Sequence, residues 1–283
     1  MALFGRERIE YKTPEQVCAM RRAGLVVADA LDAVRERVAP GVTTAELDEV
    51  AARVIKDAGA TPSFLGYHGY PATVCVSVND EVVHGIPGPR VLEPGDVVSV
   101  DCGAVVAGWH GDSAITVVLD GGDPEDQTLA TITEQAMWAG IAALAGGDRL
   151  GVVGEAVEDV VDRAQAEGRN GGTRYGILEE YVGHGIGTAM HQPPDVLNYR
   201  ARDRGPRLRP GLCVAVEPMI TRGERHTQVL DDDWTVVTDD GSHASHWEHT
   251  VAILDEGIWV LTARDGGAAA LAAHGVTVAA LTD

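Results

Sequence analysis

Hydrophobic positions along the chain alternate between a helical period and short apolar runs. Thr13-Pro14-Glu15-Gln16 combines a capping residue, proline at the first helical position and Gln three residues past the cap, which predicts a helix from Thr13 to about Ala39. Pro40-Gly41 ends it. Thr43-x-x-Glu46 then opens a second helix whose apolar positions Leu47, Val50, Ala51, Val54 and Ile55 follow helical spacing up to Gly59. Thr73 to Val78, Val97 to Val100 and Ala114 to Val118 are β-branched, apolar and short, the last two separated by a turn near Gly108, so strands are predicted there. Asp123-Pro124 starts a third helix to about Ala145, and a fourth runs from Val152 to Glu167 before Gly168. Strands return at Leu212 to Val216, Val251 to Leu254 and Ile258 to Leu261.

The order helix, helix, strands therefore occurs twice, and three short motifs repeat in register with it. His84-Gly85-Ile86 returns as His184-Gly185-Ile186. Pro94-Gly95-x-x-Val98-x-Val100-Asp101 returns as Pro210-Gly211-x-x-Val214-x-Val216-Glu217, and His110-x-Asp112 as His246-x-Glu248. Two halves related by a pseudo-two-fold axis would bring matched residues together at a central seam, where ligand sites commonly form.

Composition narrows the class. The chain has 283 residues, 45% hydrophobic and 23% charged, which excludes disorder and fibrous repeats and leaves ample material for a core. With 22 Lys+Arg against 43 Asp+Glu the net charge is −21, which argues against DNA or an anionic membrane as partner. Cys18, Cys75, Cys102 and Cys213 form no metal or redox pair and read as reduced thiols. No run of about 18 apolar residues occurs and charges appear from Arg6 onward, so a cytoplasmic protein is expected.

The matched positions are acids: Asp101 with Glu217, and Asp112 with Glu248. An isolated acid at a strand end is ordinarily solvated, but four converging in an apolar setting must take up protons or hold cations. Asp101 and Asp112 flank a turn at an odd separation, placing both within reach of one ion as cross-strand partners. With Glu217, Glu248 and His184 the inventory suits two divalent ions about 3.5–4 Å apart. Oxygen ligands with one imidazole favour Mn, Fe or Co over structural zinc. Glycines on both sides of His184 let its backbone approach closely, and His84 and His191 are candidates for flanking the metals and binding substrate.

These residues resemble a family, the type I methionine aminopeptidases, over about residues 13 to 262. The resemblance is carried by Gly66-Tyr67-His68-Gly69-Tyr70-Pro71, Ser77-Val78-Asn79, His84-Gly85-Ile86-Pro87, Asp101-Cys102-Gly103, His110-Gly111-Asp112, Gly183-His184-Gly185-Ile186-Gly187, Val216-Glu217-Pro218-Met219 and Glu248-His249-Thr250. It implies the pita-bread α/β fold, a curved antiparallel sheet with helices packed outside, as a single catalytic domain 13–262 between an N-terminal extension 1–12 and a tail 263–283. The implied activity is removal of the initiator methionine before a small residue, by water attack on the peptide carbonyl at two divalent ions (Co, Mn, Fe or Zn). Asp101 and Asp112 would hold one ion and Asp112, His184, Glu217 and Glu248 the other, Asp112 and Glu248 bridging. Glu217 would shuttle protons, His191 would bind the scissile carbonyl and His84 the scissile amide.

The resemblance further assigns the methionine pocket to Tyr67, His68, Tyr70, Cys75, Trp234 and Met190, where the family often has Phe. His246, two residues before Glu248, is a second departure. The implied partners are nascent-chain N-termini, met by a monomer. Arg200, Arg202, Arg204, Arg207 and Arg209 form a basic cluster suited to transient ribosome contact. The competing readings are a proline-specific peptidase of the same fold, a type II methionine aminopeptidase, for which Glu217 to Glu248 is too short, and a non-catalytic binding protein.

Overall fold

The computed structural model describes residues 8–169, 172 and 174–281; the rest of the N-terminal extension and of the tail lies outside the described residues. The first half contains helices α1 (Pro14–Arg37) and α2 (Thr44–Asp57) and strands β1 (Thr61–Pro62), β2 (Val74–Val78), β3 (Glu81–Val83), β4 (Val97–Val106) and β5 (Trp109–Val118). The second opens with α3 (Pro124–Leu144) and α4 (Val152–Ala166). It continues through β6 (Gly176–Ile177), β7 (Gly183–Gly185), β8 (Gln192–Val196), β9 (Cys213–Val216), β10 (Met219–Thr221), β11 (Thr227–Val229) and β12 (Val236–Thr238). β13 (Ala244–His246), β14 (Glu248–Leu254), β15 (Gly257–Val260) and the short helix α5 (Ala268–Ala272) complete it.

The caps act as their residues dictate. Thr13 Oγ1 accepts from the Gln16 amide at 3.4 Å while the Gln16 side chain accepts from the Thr13 amide at 2.9 Å. Thr43 and Glu46 close the same reciprocal box on α2, at 3.2 and 2.8 Å. α1 stops at Arg37, two residues before the expected end, because Pro40 biases the preceding backbone away from helix.

Nine strands form a curled antiparallel sheet in the order β1-β4-β5-β14-β9-β7-β8, with β2 on β4 and β15 on β14. β4 and β5 run well beyond the expected apolar stretches, paired in register from Val97↔Val118 to Val106↔Trp109. The expectation stopped short because Asp101, Gly103 and the His110-Gly111-Asp112 segment are polar or small, yet they occupy regular ladder positions. Ala107 and Gly108, with φ of +51° and +82°, form the two-residue turn, a geometry that matches strand twist.

The expected internal symmetry has a physical counterpart. The β4–β5 hairpin of the first half meets the β9–β14 pair of the second along β5 and β14, with Glu248↔Ala114 and His249↔Ser113 in register. Thr250 Oγ1 stitches this seam, donating to Asp112 O at 2.7 Å and accepting from Asp112 N at 3.1 Å. Val98, Val100, Cys102 and Ala104 share one core with Val27, Leu31 and Val34 of α1, and Val214 and Val216 with Ile141 of α3 and Val157 of α4. By the period-two alternation, Asp101, Asp112 and Glu248 face away from the helix layer. The described tail packs back on the domain: Leu271 is buried in the main core and Ala279 N donates to Ile258 O at 3.0 Å.

Candidate metal centre

Asp101 on β4 and Asp112 on β5 are diagonal neighbours on one sheet face, since Asp112 stands opposite Gly103 and Asp101 opposite Ala114. The two side chains share a hydrogen bond. The expectation of directly opposed partners is thus displaced by two residues, which still leaves long side chains in reach. Glu217 follows β9, Glu248 opens β14, and the β9–β14–β5 pairing carries them to the same face.

His184 arrives on β7, a three-residue strand whose glycines serve close packing: a Cβ at Gly183 would run into Ala215 O and one at Gly185 into Pro193 O. His184 Nδ1 lies 3.0 Å from Gly185 O, so that nitrogen carries the proton and Nε2 presents a lone pair. Nε2 lies 3.3 Å from Glu217 Oε1. On the far side of the same carboxylate His246 Nε2 lies 3.6 Å from Glu217 Oε2.

Burial governs the electrostatics. It pushes the Asp101 carboxyl up to about 7 and Glu217 up to about 8, and holds Asp112 and Glu248 well above the usual range, with neighbouring acids adding repulsion to Asp112 and Glu248. It pushes His184 down to about 3 and His84 down to about 4. Neutral imidazoles beside acids that resist ionisation are a donor set lacking its cation. Asp101 Oδ1, Asp112 Oδ1, Glu248 Oε1 and His246 Nε2 are buried without a hydrogen-bond partner, a cost that coordination would remove. Two groups have ligand atoms within 4.8 Å of one another: Asp112, His184 and Glu248, and Glu217, His246 and Glu248. Four ionised carboxylates would balance the charge of two divalent ions. The residues fit a divalent metal.

Beside the acids opens a cavity of about 110 Å³ lined by Phe64, Tyr67, Tyr70, Cys75, Val83, His84, Met190, His191 and Trp234 together with the acids and His184. Tyr70 is fixed by its hydroxyl donating to Gly85 O at 3.0 Å, and Trp234 by Asp232 Oδ1, which accepts from the Trp234 and Thr235 amides at 2.9 and 2.7 Å. The Tyr70 and Trp234 rings meet edge-on with centroids 5.0 Å apart. His191 has its ring centroid 4.3 Å from that of His184, and its Nδ1 is 2.8 Å from Tyr67 Oη. His84, held at φ +61°, stands against Trp234 and Tyr181 with centroids 6.1 and 5.7 Å away.

Of the thirteen residues singled out from sequence, twelve line this cavity; His68 does not. It is exposed, on a one-turn 3-10 segment, and packs edge-on against Tyr67 with centroids 4.4 Å apart. Sequence reasoning missed Phe64 and Val83 as lining. It placed His246 in the internal repeat with Glu248 and marked it as a departure from the family but not as a site residue, although its two-residue spacing from Glu248 is that of same-face positions on extended chain. Arg200 is engaged by Asp159, Asp162 and Glu158 and Arg204 by Asp148 and Glu155, so part of the basic cluster is neutralised within the chain.

A curled antiparallel sheet that gathers carboxylates and an imidazole beside an apolar cavity is the architecture of a metallopeptidase, and the chain belongs to metallopeptidase family M24, whose sequence profile matches residues 18–255. Among its relatives are methionine aminopeptidases. It is 50% identical over 261 residues, 92% of this chain and 97% of the relative, to methionine aminopeptidase 1 of Mycobacterium tuberculosis. The crystal structure of the Thermotoga maritima methionine aminopeptidase superposes with a TM-score of 0.85 at 37% identity, covering 90% of this chain and 99% of that one. The Pyrococcus furiosus prolidase, at 19% identity and TM-score 0.67, shares the fold; the match covers 89% of this chain and 65% of the prolidase. Among the described residues no helix is long and apolar enough to cross a membrane.

Proposed function

We propose that this chain is a methionine aminopeptidase that removes the initiator methionine from nascent proteins and peptides when the next residue is small. The observation that carries the reading is the direct junction between the buried acid and imidazole cluster and an apolar cavity closed by Met190, Tyr70 and Trp234. A thioether packs well against such aromatic walls, and the cluster at the cavity's end is positioned to receive the peptide amine and the first carbonyl.

Asp101, Asp112, His184, Glu217 and Glu248 would hold two divalent ions, with Co, Mn, Fe or Zn all suited to the donors. When bound, these ions supply Lewis acidity, acidifying a water molecule and neutralising charge on the carbonyl oxygen. Glu217, bracketed by two imidazoles, takes the proton from the attacking water and passes it on. With Tyr67 donating to His191 Nδ1, His191 keeps a proton on Nε2 to donate to the scissile carbonyl oxygen. His84, neutral at physiological pH, contacts the scissile amide as the leaving nitrogen is protonated. Tyr67, Cys75 and Met190 shape the side-chain slot, and His68, outside the cavity, serves substrate only by supporting Tyr67. The protein works in the cytoplasm as a monomer on emerging chains, with the exposed Arg202, Arg207 and Arg209 available for salt-sensitive ribosome contact.

The test strips the protein with a chelator, restores Mn, Co or Fe separately, and measures methionine release from Met-Ala-Ser beside first-residue release from an X-Pro peptide. Metal-dependent cleavage of the first peptide alone is expected. Cleavage of the X-Pro peptide instead would transfer the chain to the proline-specific peptidases, and no cleavage with any metal would favour a binding protein.

A further inference from the structure

Around Glu217 the cluster holds one imidazole more than the five-ligand set uses. His246 is 1% exposed, and its Nε2 is buried with no hydrogen-bond partner. Its nearest acid oxygen, Glu217 Oε2, is 3.6 Å away, beyond hydrogen-bonding distance. Two ligand atoms each about 2.1 Å from one tetrahedral cation lie roughly 3.4 Å apart, so the separation suits joint coordination. The two acid and imidazole groups of the site share Glu248 but have different histidines, His184 in one and His246 in the other.

The ring's placement is deliberate in the fold. β13 pairs with β10 so that His246 stands opposite Met219. Its backbone is clamped: the amide donates to Ser99 Oγ at 3.3 Å and Thr116 Oγ1 at 3.1 Å, and the carbonyl accepts from Thr116 Oγ1 at 2.7 Å. A clamped backbone with an unpartnered, fully enclosed ring nitrogen costs stability unless something occupies that nitrogen.

We infer that His246 is a further metal ligand, its Nε2 joining Glu217 and Glu248 on the cation they hold, so that the two ions together receive two imidazoles, those of His184 and His246. A neutral imidazole adds a donor without disturbing the balance between four carboxylates and two divalent ions. It also moves that position toward the nitrogen-preferring metals Co, Fe and Zn and away from Mn. The inference rests on the metallopeptidase reading, and the experiment separates the two.

The wild-type chain is loaded with Co(II), its stoichiometry and affinities are measured calorimetrically, and imidazole scattering per cobalt is counted by X-ray absorption. The same is done for His246→Gln, which retains polarity and much of the volume, with folding checked by circular dichroism. We expect an average of one imidazole per cobalt in the wild type. In the variant the average falls by half at full loading, and one of the two affinities falls by more than about 100-fold, beyond what removing an outer hydrogen-bonding partner does. Half an imidazole per cobalt in the wild type, or a variant whose scattering is unchanged, overturns the inference while leaving the metallopeptidase reading intact. Failure of the wild type to bind divalent ions would instead defeat that reading. The wild-type count stands even where the variant fails to fold.

Discussion

Removing metal from the cluster makes the fold sensitive to alkaline pH, and the sign and size follow from the acids. Asp101 at about 7 and Glu217 at about 8 are raised from 3.8 and 4.5, so their contribution is present at low pH and lost as pH climbs through the folded values. The buried histidines act oppositely: His184 at about 3 and His84 at about 4 sit below 6.5, and stability is lost as pH falls below that value. The two trends oppose each other below pH 6.5 and only the acids act above it. Between about pH 6.5 and 8.5, integrating the proton release gives about 0.8 kcal/mol for Asp101 and about 2 for Glu217, so roughly 3 kcal/mol is lost. Asp112 and Glu248, also held well above the usual carboxylate range by burial and neighbouring acids, add to the loss. At about 2–4 °C per kcal/mol the metal-free melting temperature should drop by roughly 6–12 °C across that window. Scanning fluorimetry in chelator, beside the Mn-loaded protein, reads it directly; the loaded form should be nearly flat because bound cations keep the acids ionised. Asp101→Asn with Glu217→Gln should flatten the metal-free slope. A metal-free melting temperature that stays level or rises over the window, or a slope shared by wild type and double variant, would refute the reasoning.

Three further outcomes are expected. His84→Ala and His191→Ala should each lower kcat for Met-Ala-Ser by about 10²–10⁴-fold while two ions still bind; loss of metal in either variant would remove it from the substrate side. Met190→Ala enlarges the cavity at a position only 2% exposed, and should cost about 2–5 kcal/mol in urea titration while raising KM for methionine peptides; an unchanged KM would show that Met190 does not meet the side chain. Thr250→Val leaves the Asp112 amide without its acceptor at the seam, and a loss of about 1–3 kcal/mol is expected by the same titration; a neutral effect would mean the seam does not depend on that hydroxyl.

Much of this was legible because it follows from local chemistry. Capped helices α1, α2 and α3 begin where Thr13, Thr43 and Asp123 require, since each side chain satisfies an amide that the helix itself cannot. The acids were legible through their repetition. Harder to see were short strands such as β7 and β13, whose three residues carry no periodicity and which are held by pairing with β8 and β9 and with β10. The extended ends of β4 and β5 were hidden because a strand facing a polar site does not look apolar there. The pocket was overextended at His68 because a motif marks a neighbourhood, while the one-turn segment leaves His68 and Gly69 exposed and brings Tyr70 inward.

The duplication explains why so charged a centre can be built from ordinary strands. One carboxylate near the end of a strand can be solvated, but the pseudo-two-fold arrangement makes the acids of each half converge across β5 and β14, where neither half alone could shield or neutralise them. The seam is therefore unfavourable without cations, and the unpaired oxygens of Asp101, Asp112 and Glu248 register that debt. His246 marks where the halves differ. It corresponds to His110 in the sequence repeat, yet His110 Nδ1 lies 2.9 Å from Ser63 Oγ, whereas His246 Nε2 is enclosed among the acids without a partner. Equivalent positions have thus been put to different uses: a hydrogen-bonded structural imidazole in the first half, and in the second a nitrogen whose surroundings call for a cation.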